Sequence, residues 1–71
     1  MQERTEEAVW LTGETPDGLQ VYSEATGEFH TLNDAWVTSR YSELGEPPCV
    51  EVHTDGDAFT CALDEEVTVR V

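Results

Sequence analysis

Four side chains in this sequence are of the kind that grips a soft metal ion or forms a thiol–imidazole pair: His30, Cys49, His53 and Cys61. A structural zinc site draws its ligands from close pairs such as Cys-x-x-Cys, and no such pair occurs. Cys49 and His53 are four apart, which on a strand puts them on one side but about 13 Å from each other. A nucleophilic thiol needs an imidazole within hydrogen-bond reach and a third group to orient it. No spacing here sets that up. Carboxylate pairs suited to acid–base work are uninformative, because Asp and Glu number 16 among 71 residues. Asp55-Gly-Asp57 and Asp64-Glu-Glu66 could hold calcium loosely, but neither has the twelve-residue ligand order of an EF-hand. The expectation is no catalytic residue, no metal and no cofactor, hence no enzyme.

Side chains that suit binding are easier to find. Trp36, Arg40 and Tyr41 fall in one short segment, and Trp10 stands opposite Val9 and Leu11 if residues 8–12 form a strand. Trp, Tyr and Arg dominate interface hot spots. These four residues are therefore the expected partner-binding set. The alternative is that the tryptophans complete a small core, which must draw on its aromatics.

The charge limits the partner. Sixteen carboxylates face three arginines and no lysine, a formal net charge of −13. Nucleic-acid affinity comes mainly from Lys and Arg neutralising phosphates, so direct nucleic-acid binding is not expected. Docking to anionic membranes is disfavoured for the same reason. Three explanations of the acidity stay open: a salt-adapted (halophilic) or GC-rich source, attraction to a basic protein, and mimicry of DNA as a special case of that attraction.

The elements that must carry these residues centre on Cys49–Leu63. Two alternating apolar–polar runs flank Asp55-Gly56, the strongest short hairpin signal. A two-residue turn sets Val52 opposite Phe59 and Val50 opposite Cys61. Val50, Val52, Phe59, Cys61 and Leu63 then share one face, with Cys49, Glu51 and His53 on the other. A slip of one residue would mix the faces. Cys49 and Cys61 point to opposite sides, which disulfide geometry does not allow, so both thiols are expected reduced.

Upstream, Ala8–Thr12 is expected as a strand. Leu19–Ser23 and Glu28–Leu32 form a second hairpin, with Gly27 in the left-handed conformation of a three-residue loop that aligns Leu19 and Val21 with Phe29 and Thr31. Residues 34–44 read as a strand, with a short helix as the alternative. Pro47-Pro48 ends that segment. Val67-Thr-Val-Arg-Val71 closes the chain with three valines facing inward. The fold class is mostly β: a small antiparallel barrel or two-layer sheet of five to six short strands. Residues 1–7 are expected as a flexible acidic arm, and residues 8–71 as a single small domain. No apolar run nears the roughly 18 residues that cross a bilayer, and the acidic stretch 1–7, which has no apolar core, is not expected to act as a signal peptide. A cytoplasmic or virion location follows as the default.

Trp36-Val-Thr-Ser-Arg-Tyr-Ser42, then six residues, then Cys49-Val-Glu-Val52 resembles a family of short actinobacterial proteins, the domain of unknown function numbered 397. Its members carry W-x-x-S-x-Y-S, a Gly-rich gap and C-V-E-V. The matching positions are Trp36, Ser39, Tyr41, Ser42, Cys49, Val50, Glu51 and Val52, and the resemblance covers about a quarter of the chain. The family continues into V-x-V-R-D-S-K, whose nearest counterpart, Val67-Thr-Val-Arg70, lies further on, and Pro-Pro stands where the family has glycines. The resemblance implies a partner protein for helix-turn-helix regulators of the WhiJ type, and no catalytic residues. A second likeness, Asp17-Gly-Leu-Gln-Val-Tyr22 with Thr26-Gly-Glu-Phe-His-Thr-Leu-Asn33, is to the opening hairpin of PqqD-like peptide-binding domains; the three helices that should follow do not fit before Pro47. Together these features point to an acidic, non-enzymatic protein–protein interaction module with a basic partner, and to self-association through a sheet edge as an added route. The competing expectation is a small structural component, a virion decoration or salt-adapted host protein, whose acidity reflects habitat.

Overall fold

The Asp-Gly hairpin forms in the register that its apolar pattern requires. In the computed structural model, which describes residues 2–39, 45 and 47–71, Val52 faces Phe59 and Val50 faces Cys61. Thr54 N–H donates to the Asp57 carbonyl at 2.9 Å to close the turn. Among the described residues there are six strands: β1 (Glu3–Glu7), β2 (Gln20–Ser23), β3 (Glu28–Thr38), β4 (Cys49–Thr54), β5 (Ala58–Ala62) and β6 (Glu66–Arg70). They make one antiparallel sheet in the order β1-β6-β2-β3-β4-β5.

The sheet turns a corner within β3. Its first half pairs with β2, from Glu28 to Thr31, and its second half with β4, from Leu32 to Thr38. The register shifts between Leu32 and Asp34, which makes Asn33 the extra residue of a bulge. A strand that changes partners at a bulge is a common way to fold a sheet over its own core. Val21, Val67 and Val69 from one half meet Ala35, Val50, Val52 and Cys61 from the other in a single buried cluster. Phe59 and Leu63 pack against it. Residues 34–38 of the ambiguous segment are thus strand, not helix; residues 40–44 lie outside the described residues.

Three local expectations are corrected. Residues 3–7 are not a frayed arm but an edge strand paired along its length with β6. Four charged residues around a single Thr suit an edge, where charge discourages further strand addition. Ala8–Thr12 is a 3-10 helix rather than a strand. Its four consecutive apolar residues fit either period, and a repeat of three lets Ala8 and Leu11 enter the core together. Ala8 and Val9 N–H groups donate to the carbonyls of Glu65 and Leu63, which anchors this turn beyond the end of β5.

The third correction is the β2–β3 register. Gly27 is left-handed (φ +71°), as its turn demands. The loop, however, holds four residues, with Gly27 N–H donating to Ser23 carbonyl at 2.8 Å. Val21 therefore faces His30, and Tyr22 faces Phe29. One extra loop residue shifts every pair by one. At the end of the chain Val67 and Val69 are buried, while Val71 is 49% exposed, so two valines rather than three point inward.

Cys49 and Cys61 are both free thiols. Burial, with the Glu65 carboxylate next in effect, pushes the Cys61 thiol up to about 12. At pH 8 its thiolate fraction is then roughly one in ten thousand. Iodoacetamide should label Cys49 in the folded protein and reach Cys61 only on unfolding, as peptide mass mapping would show. Labelling of Cys61 at a comparable rate under native conditions would contradict its placement.

Candidate interaction surface

The outward face of β4 carries Cys49, Glu51 and His53, because Val50 and Val52 take the inward positions. Trp36 on β3 lies opposite Glu51, and its ring stacks on His53 with centroids 4.6 Å apart and planes at 16°. His53 Nε2 is 3.0 Å from Glu51 Oε1, which holds the imidazole in place beneath the indole. On the other flank, Ala58, Thr60 and Ala62 of β5 face His53, Glu51 and Cys49 with short side chains. Trp36 remains 38% exposed. The result is a preorganised aromatic platform standing proud of a low surface.

Trp10 has a different setting. It packs against the core from the 3-10 turn, and the Arg4 guanidinium lies 5.0 Å from its ring centroid. Arg4 also meets Glu6 at 3.1 Å. Trp10 therefore closes one margin of the core under a cationic cover, and it has no part in the Trp36 stack. Arg40 and Tyr41, the other expected partner-binding residues, lie outside the described residues.

Two features had no signal in the sequence. Ser23, at the end of β2, is buried, and its hydroxyl donates to Asp57 Oδ2 at 2.5 Å. That bond ties the first half of the sheet to the start of β5, 34 residues away. The Ser23 hydrogen bond holds the Asp57 carboxyl below the usual carboxylate range; partial desolvation opposes this, while the Ala58 N–H and the charge of His30 reinforce it. Close by, the His30 ring packs on Gly56, where an added Cβ would lie 2.6 Å from His30 Cε1. The absence of a Cβ at Gly56 thus admits the His30 ring, which a larger residue would have to displace, and no left-handed turn is involved, since its φ is not positive. Thr26 Oγ1 binds His30 Nε2 at 2.7 Å from the other side.

Between β5 and the start of β6 lies a groove of about 220 Å³, floored by Phe59 and Val67. That is below the roughly 300–1,000 Å³ of small-molecule pockets. Its rim holds Glu24, Asp57, Glu65 and Glu66, and among the described residues no basic side chain lines it. Among the described residues no group of three or more His, Cys, Asp or Glu is placed to hold a metal ion. Nor is any helix there long and apolar enough to cross a membrane.

What this arrangement offers chemically is contact: a flat aromatic pair, an acidic surround and an apolar-floored slot. Compared with family models, with curated proteins and with solved structures, the chain matches none.

Proposed function

We propose that this chain is a non-enzymatic interaction module whose acidic surface and Trp36 region bind a basic protein. The observation that carries the reading is the half-exposed Trp36 ring already stacked on His53. A rigid aromatic loses little conformational freedom on binding and fills a partner's pocket well. The net charge of −13 supplies long-range attraction to a basic partner and raises the rate of encounter. On the resemblance carried by residues 36–52, that partner is a helix-turn-helix transcription regulator, whose DNA-binding face is basic.

The test uses the wild-type chain and Trp36→Ala as paired baits in lysate of the source cell, with captured proteins identified by mass spectrometry. A basic protein held by the wild type should be lost from the variant by roughly 30-fold, the equivalent of a 2 kcal/mol hot spot. Its capture should also weaken as salt shortens the screening length. Equal capture by the two baits, or no specific capture, would sink the reading.

A further inference from the structure

The free edge of β5 meets the acidic groove. Among the described residues, β5 is paired by β4 alone. Thr54 and Asp57 share a hydrogen bond at the turn, so the alternation of an antiparallel ladder makes Val52–Phe59 and Val50–Cys61 the bonded pairs. Ala58, Thr60 and Ala62 then turn their N–H and C=O groups away from β4. Two of these positions are partly satisfied within the chain. Ala58 N–H takes the Asp57 carboxylate at 2.9 Å, and the Ala62 carbonyl accepts from Glu65 N–H at 3.2 Å. The N–H and C=O of Thr60 have no partner among the described residues, and Thr60 lines the groove.

The edges also differ in chemistry. The other edge, β1, reads Glu-Arg-Thr-Glu-Glu, a charged sequence that resists strand addition. β5 reads Ala-Phe-Thr-Cys-Ala and has no charge at all. The carboxylates sit instead around the slot it faces, as Glu24, Asp57, Glu65 and Glu66. An uncharged edge with an unsatisfied backbone pair, set in an acidic rim over an apolar floor, is complementary to one kind of occupant.

We infer that this groove takes an extended basic segment of a partner protein, added to β5 as a further strand, with alternate apolar side chains over Phe59 and Val67 and Lys or Arg against the rim. This is strand addition at a sheet edge, in which the main chain supplies affinity and alternate side chains supply selectivity. The inference rests on the proposed function above and assigns it a second contact besides Trp36. A second copy of this chain is the poorer occupant, because it would bring another −13 to the same acidic rim.

The probe is the decapeptide (Lys-Val)5, with (Glu-Val)5 and a (Lys-Val)5 N-methylated at every valine as controls, each added to the full chain. (Lys-Val)5 should slow exchange of the Thr60 amide hydrogen, and neither control should do so. Thr60→Pro should weaken (Lys-Val)5 binding by roughly tenfold, the equivalent of one lost backbone hydrogen bond. Its N–H faces away from β4, so the β4 ladder tolerates the change. Should Thr60→Pro prevent folding, the N-methylated peptide tests the same bonds on the wild-type chain. An unchanged Thr60 exchange rate, equal binding of the methylated peptide, or a chain dimer abolished by Thr60→Pro would overturn the inference. Trp36→Ala should leave (Lys-Val)5 binding unchanged. Loss of the groove result alone leaves the Trp36 reading standing, and loss of Trp36-dependent capture alone leaves the groove standing.

Discussion

Leu19→Ala should lower the stability of the domain by about 2–5 kcal/mol, the range for emptying a fully buried leucine site. Leu19 is 1% exposed, and its N–H and C=O are both held, by Pro16 carbonyl and Leu32 N–H. The backbone cannot readily collapse into the cavity, so the upper part of the range is expected. For a domain of this size each kcal/mol moves the melting temperature by roughly 4–8 °C. Total stabilities are typically about 5–15 kcal/mol, so much of the margin would go. Thermal melts followed by circular dichroism measure the change. Val37→Ala is the control: Val37 is 47% exposed, and its loss should stay within about 0.5 kcal/mol. A Leu19→Ala loss no larger than the control's would mean that Leu19 is not a core residue.

Removing residues 2–7 should destabilise the domain by about 1.5–3 kcal/mol, at least the burial of one large apolar side chain. This expectation separates the strand from the arm that acidity alone suggests. The ladder bonds of β1 and the entropy of ordering it roughly offset each other. What remains is cover: Arg4 and Glu6 lie across from Val69 and Val67, and Arg4 shields Trp10. Urea denaturation of the truncated chain gives the value from the midpoint shift. An unchanged midpoint would return these residues to a frayed terminus.

The parts legible in the sequence were those governed by neighbours. Val50, Val52, Phe59 and Cys61 alternate strictly on either side of Asp55-Gly56, so one turn fixes their register. Gly27 likewise announces its left-handed turn. The β2–β3 register is ambiguous in the sequence because a three-residue and a four-residue loop both accommodate that glycine, and Val21 is apolar enough to suit either pairing. Ala8-Val-Trp-Leu failed for want of polar residues: an all-apolar run has no period to read. Glu3–Glu7 failed because a charged edge strand and a solvated arm have the same composition. Of the candidate surface, Trp36 was visible by residue type alone. Its stacking on His53 depends on the β3–β4 pairing, and the Ser23–Asp57 bond spans 34 residues; neither leaves a local trace.

β3 serves both halves of the sheet, the first through Glu28–Thr31 and the second through Leu32–Thr38. No cut through the molecule yields two autonomous pieces, since without this strand the second half is a lone β4–β5 hairpin, too small to persist alone, and the first half loses the partner of β2. Opening one hairpin therefore strips the shared strand from the other, and the chain has no half-folded refuge on the way down. For so small and so highly charged a protein, that all-or-none character spares it partially open forms whose exposed ribbon edges would otherwise seek each other out.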